Sequence, residues 1–213
     1  MYMTNLLLTD RIRYVGLGDR LDALGVAKIM SKEGRVKILQ PNGWFRQLEE
    51  LTELFDLNCV YYHGKPVDHE TYRVHDPDGD HKFWSVRDYP RLSVDLNLEL
   101  PEKFVTMQFD GTHNHNRIRN PQTIMSEWRE RGYDIIQVGG KATDPRFAPK
   151  AGNLKNIAYA MSKSHGHIGV DSGMMHLAKF SMDADKICVY TVMKRKTSFV
   201  CALEKKGALI LEH

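Results

Sequence analysis

Two kinds of apolar patterning alternate along the chain: short runs of adjacent or every-other apolar positions, and longer stretches in which apolar residues return every third or fourth position. In the first part, RIRYVGLGD (11–19) reads as a short strand ending in a glycine turn and DRLDALGVAKIMSK (19–32) as an amphipathic helix. RVKILQ (35–40) then reads as a strand, WFRQLEELTELFD (44–56) as a helix and NCVYYH (58–63) as a third strand. This is a βαβαβ unit, and right-handed crossovers of this kind build a parallel sheet covered by helices. Residues 63–100 break the alternation. They are polar, rich in Asp, His, Pro and Gly, and show no helical period, which marks a linker or a functional loop.

Alternation resumes with the strand KFVTMQF (103–109), a loop, and the helix PQTIMSEWRERG (121–132) opened by Pro121, followed by the strand DIIQVGG (134–140). After a second loop come the helix NLKNIAYAMSKS (153–164), with Asn153 as its expected N-cap, and the strand GHIGV (166–170). The helix GMMHLAKFSM (173–182) and the strand KICVYTV (186–192) complete the series. The expected fold class is therefore α/β, with two Rossmann-like parallel-sheet domains over residues 1–97 and 98–213. The tail after Val192 shows no long closing helix, and neither a sequence repeat nor a low-complexity tract is present.

Composition narrows the class. The formal charge of +3 arises from 30 basic and 27 acidic residues mixed along the chain, a balance that does not point to nucleic acid. Lys194–Lys196 and the pair Arg117 and Arg119 are local basic clusters that could meet an anionic ligand, although solvated surface is the default reading of either alone. Cys59, Cys188 and Cys201 are odd in number and widely spaced, the pattern of free thiols in a reducing compartment. Neither a secretory leader nor an apolar run long enough to span a membrane is recognisable, so a cytoplasmic location is expected.

The candidate chemistry concentrates at HIGVDSGMMHLAKF (167–180), where a short strand runs into Asp171-Ser172-Gly173 and then a helix. In open α/β sheets, ligands bind beyond the carboxyl ends of strands, where helix N-termini present free N–H groups. Ser172 is placed to cap the helix, Gly173 removes a Cβ that would keep a ligand away, and the first amides are suited to phosphate oxygens. His176 is expected near the same rim, as a donor to a phosphate or sugar hydroxyl. Asp171 would repel a diphosphate, so its expected role is to fix the turn through backbone N–H bonds or to bind a sugar hydroxyl. An ordinary capped helix explains the same residues on spacing alone.

Together IIQVGG (135–140, including Gly139), the helix-to-strand segment 153–170 and DSGMMHLA (171–178) resemble the C-terminal domain of heptosyltransferase-type glycosyltransferases. That resemblance, clearest over residues 103–192, implies a GT-B-like architecture of two domains facing a cleft, here with a shortened N-terminal domain. It also implies a nucleotide-diphosphate sugar donor cradled by Ser172, Gly173, Met174 and His176, with an inverting single displacement onto a glycan or other hydroxyl acceptor. No cofactor and no metal are expected. Family members begin with a strand and Gly-x-Gly-Asp; Gly16, Gly18 and Asp19 match, which implies an acceptor-side turn and Asp19 as catalytic base. The basic residue that contacts donor phosphate falls in DGTHNHNRIRN (110–120), making Thr112, Arg117 and Arg119 candidates, although the local residues depart from the family's Ser-Lys-x-Trp pattern.

Other readings stay open at this stage. Asp19 is equally suited to cap a helix. A dinucleotide fingerprint is incomplete, because its third glycine would fall at Leu21. DPDGD (76–80) contains two Asp-x-Asp triplets of the kind that bind a divalent ion, but a tight acidic turn accounts for it. The alternative function is a noncatalytic nucleotide- or sugar-binding module within a larger assembly.

Overall fold

The computed structural model describes residues 3–8, 16–18, 20–22, 24, 25, 28, 35–41, 46–62, 70–72, 90–111, 117–149, 152–191 and 196–212. The chain divides into two compact units, Met1–Ser93 and Val94–His213.

In the first unit, β1 (Met3–Leu8), β2 (Arg35–Pro41), β3 (Asn58–Tyr62) and β4 (Glu70–Tyr72) form a sheet in the order β3-β2-β1-β4, every pair parallel. The compact apolar run Leu6-Leu7-Leu8 gives β1 its place between β2 and β4, while residues 11–15 of the segment expected to form the first strand lie outside the described residues. Leu17 and Gly18 are helical, and Gly16 O accepts from Arg20 N at 3.4 Å, so the Gly-x-Gly pair opens a helical turn. Leu21 and Leu24 of that helical segment are buried, as are Leu51, Leu54 and Phe55 in and after α1 (Arg46–Leu54). β4 lies inside the segment read as patternless; three residues are too few to display a period.

The second unit is a five-stranded parallel sheet of β5 (Phe104–Gln108), β6 (Asp134–Gln137), β7 (His167–Val170), β8 (Ile187–Thr191) and β9 (Leu209–Glu212), ordered β6-β5-β7-β8-β9. Val105, Met107, Ile168, Val170 and Cys188 point to one face and pack against Ile124 and Met125 of α2 (Pro121–Glu130). Pro121 opens that helix as expected. α3 (Leu154–Lys163) and α4 (Gly173–Ser181) pack on each other and account for the other face. Because both faces are covered, β5 and β7 are buried at every position, the polar Thr106, Gln108 and His167 included.

One expectation fails locally. Asn153 makes no side-chain capping bond to α3; its Nδ2 donates instead to Pro145 O (2.7 Å) and Ala148 O (3.0 Å), pinning the loop before the helix. The tail holds α5 (Ser198–Lys205) and β9 in addition to the strands and helices expected. Cys188 and Cys201 are free thiols; burial pushes the Cys188 thiol up to about 11. Among the described residues, no helix is long and apolar enough to cross a membrane.

Candidate functional site

Within the second sheet, the chain moves outward in opposite directions from β5 and β7: β6 lies beyond β5, and β8 and β9 lie beyond β7. A doubly wound sheet has its crevice at this reversal, outside the carboxyl ends of the two flanking strands. Three segments leave the sheet at that end: residues 109–111 after β5, 138–149 after β6 and 171–172 after β7.

Gln108, the last residue of β5, joins them. Its buried carboxamide donates through Nε2 to Asp110 O and accepts at Oε1 from Ser172 Oγ at 2.5 Å. Gly139 stands against the same side chain. Its φ is +95°, and a Cβ there would lie 3.0 Å from Gln108 Cγ and 3.6 Å from Met174 Cγ, so both its backbone and its surroundings call for glycine. Its N–H donates to Phe147 O at 3.1 Å, fixing the start of the loop.

Ser172 is the N-cap of α4. It is extended, at φ −162° and ψ 172°, and its Oγ accepts from Met175 N at 3.5 Å, while its carbonyl accepts from His176 N at 3.1 Å. The Ser172 proton is committed to Gln108, so the hydroxyl offers a ligand no donor beyond that bond. Among the described residues, the amides of Gly173 and Met174 have no hydrogen-bond acceptor. They sit where the helix dipole places partial positive charge, which makes this end a seat for an anion.

His176 is placed differently from expectation. His176 is buried and not on the rim: its ring stacks on Phe199 of α5, with centroids 3.7 Å apart and planes 12° from parallel. Its Nε2 is 3.9 Å from Asp171 Oδ1. The other carboxylate oxygen, Oδ2, accepts from Thr197 Oγ1 at 2.7 Å, and Thr197 in turn caps α5 by accepting from Val200 N at 3.3 Å. Lys179 Nζ lies 4.4 Å from the centroid of Phe180 and 5.2 Å from that of Phe199, so α5 is seated on α4 at two successive turns.

Arg117 is exposed at the neck of the loop after β5, bridged to Asp110, and Arg119 is exposed two residues on. Between them Ile118 is buried, with its N–H donated to Phe109 O at 2.8 Å. Thr112 and Asp19 lie outside the described residues, as do the acidic turn 76–80 and Lys194; Gly16 and Gly18 belong to the other unit. Among the described residues, no cluster of three His, Cys, Asp or Glu has the geometry to hold a metal ion. The residues the sequence reading passed over are Gln108, Thr197 and Phe199. A lone amide at the end of the run FVTMQ and a threonine two residues before a helical apolar pair were the available signals.

No protein-family model matches the chain, and no curated protein sequence matches it. Solved structures do share its fold. The iron-containing dodecameric glycosyltransferase TibC from enterotoxigenic E. coli H10407 superposes with a TM-score of 0.61 at 13% identity, over 90% of this chain and 60% of that one. TibC described as a heptosyltransferase in complex with ADP-D-beta-D-heptose gives 0.60 at 13% identity, over 90% and 59%. A glycosyl transferase family 9 protein from Veillonella parvula DSM 2008 gives 0.61 at 12% identity, over 100% of this chain and 86% of that one. The chain therefore spans about three fifths of the TibC chain, and the likeness is one of fold.

Proposed function

We propose that the chain is a glycosyltransferase of heptosyltransferase type that takes a nucleotide-diphosphate sugar at the start of α4. The observation that carries this reading is the pair of amides, Gly173 and Met174, without acceptors at the reversal point of a sheet whose fold is shared with TibC. TibC is described in complex with ADP-D-beta-D-heptose, which supports the same class of donor here.

In this reading the two amides hold oxygens of the diphosphate, and Arg117 or Arg119 supplies the opposing positive charge from the loop after β5. As the bond from the anomeric carbon to the diphosphate breaks, charge grows on the leaving oxygens, and donors already fixed by the helix stabilise it without reorganising. Asp19 accepts the proton of the acceptor hydroxyl, and a single displacement inverts the anomeric centre. Amides and arginines carry the charge, and no metal is assigned a step.

A clean test deletes one donor and little else. Proline suits the first position of a helix, and the extended Ser172 backbone is compatible with a following proline, so Gly173→Pro removes one N–H while keeping α4. By calorimetry, wild type is expected to bind at least one of ADP, GDP and UDP, and Gly173→Pro to bind it about tenfold or more weakly, the worth of one charge-assisted bond. Equal affinity in the two proteins overturns the assignment of the phosphate to this end. Slow hydrolysis of the matching nucleotide sugar that persists in chelator and disappears in Asp19→Ala, with binding retained, distinguishes an enzyme from a binding module.

A further inference from the structure

We propose that Thr197 is a positioning residue that keeps the protein's own carboxylate, Asp171, off the amides of Gly173 and Met174. This rests on the reading of the α4 start as the phosphate seat. Asp171 immediately precedes the cap of α4, and a carboxylate tethered that close to two amides without acceptors is an internal competitor for any phosphate. Tethering gives such a group an effective concentration on the order of millimolar or higher. Asp171 is instead held toward α5, its Oδ2 accepting from Thr197 Oγ1 at 2.7 Å.

The direction of that bond is determined by the cap. Thr197 Oγ1 accepts the Val200 N–H, so its own proton points away from α5 and toward the carboxylate. Independently, the His176–Phe199 stack and Lys179 over Phe199 fix α5 on α4, so the latch has a rigid anchor. Asp171 thus sits against the capped N-terminus of α5, where its charge is favourable, and the N-terminus of α4 is left for a ligand. The segment carrying Thr197 lies outside the stretch that resembles the glycosyltransferase motif, so the motif depends on a contact from beyond it.

Calorimetry with ADP as the probe tests the latch, with GDP or UDP in its place if wild type selects one of them. The probe has no sugar, so any contact of Asp171 with a sugar hydroxyl does not enter. Thr197→Val is expected to weaken binding about tenfold or more, and Thr197→Ser to retain it. The double variant Thr197→Val/Asp171→Asn is expected to recover most of the loss, because a neutral amide competes poorly with a phosphate. Both Thr197→Val proteins lack the α5 cap, so a general loosening of α5 would weaken them equally; equal weakening overturns the proposal, as does wild-type affinity in Thr197→Val. Failure of wild type to bind any of the three nucleotides overturns the reading of the site itself, and the latch with it.

Discussion

Ser172 and Gln108, on different strands' ends, are joined by a hydroxyl-to-carboxamide bond of 2.5 Å that ties the start of α4 to the end of β5. The same carboxamide reaches Asp110 O, so one side chain sets both the cap and the start of the arginine-bearing loop. Replacing Gln108 with Leu leaves the Ser172 hydroxyl and a carbonyl without their partner. Urea unfolding is expected to show a loss of about 1–3 kcal/mol, the cost of stranding a buried polar group. Wild-type stability in this variant would mean that the bond is dispensable.

Gly139 and Gly152 separate a backbone requirement from a packing requirement. Both have positive φ, +95° and +91°, but only Gly139 faces a neighbour within 4 Å. Alanine at Gly152 is expected to cost about 1 kcal/mol, from backbone conformation alone. Alanine at Gly139 is expected to cost more and to weaken nucleotide binding, because Gln108 must move. Parallel denaturation curves for the two variants check the order.

Phe199 fills the space over His176 and beside Lys179, at 2% exposure. Phe199→Ala is expected to destabilise the second unit by about 3–5 kcal/mol. Phe199→Leu is expected to keep the packing and lose the stacked ring, and so to cost less. Equal losses in the two variants would show that the ring contacts, and not the filled volume, carry the stabilisation.

His167 makes stability depend on pH. Its ring is fully buried, Nδ1 lies 3.0 Å from Thr106 Oγ1, and Nε2 has no partner among the described residues. Burial holds its pKa down to about 3, against 6.5 for an ordinary imidazole. Between those values the unfolded chain binds a proton that the folded chain refuses, so stability falls as pH drops below about 6.5 and is unaffected above it. The slope from this group approaches about 1.4 kcal/mol per pH unit. His167→Gln is expected to flatten the urea midpoint between pH 6.5 and 4; an unchanged slope would assign the acid sensitivity elsewhere.

Periodicity made most of the second unit legible, because its strands are buried on both faces and its helices are amphipathic: β5, α2, β6, α3, β7, α4 and β8 all fall where the pattern puts them. Elements whose signal is local chemistry and not period were harder. α5 is only eight residues, bounded by the Thr197 cap and by Gly207 at φ +102°, and β4 is three residues held by β1. Of the site, Ser172 capping and the glycine at 139 follow from residue type. The burial of His176 does not, since Phe199 reaches it from a helix more than twenty residues downstream. Gln108 escaped because an amide inside an apolar strand reads as an imperfection until its two partners are seen.

The placement of Thr106 opposite His167 also bears on how the second sheet assembles. Side chains alternate between the two faces of a strand, and β7 is apolar-compatible on both, so greasiness alone would let it pair with β5 one residue out of step. A slipped pairing would turn the imidazole to the opposite layer, among Val105, Met107 and Ile124, with no hydroxyl to meet. The hydrogen-bonded pair therefore acts as an alignment mark, penalising misthreaded sheets more than it strengthens the correct one.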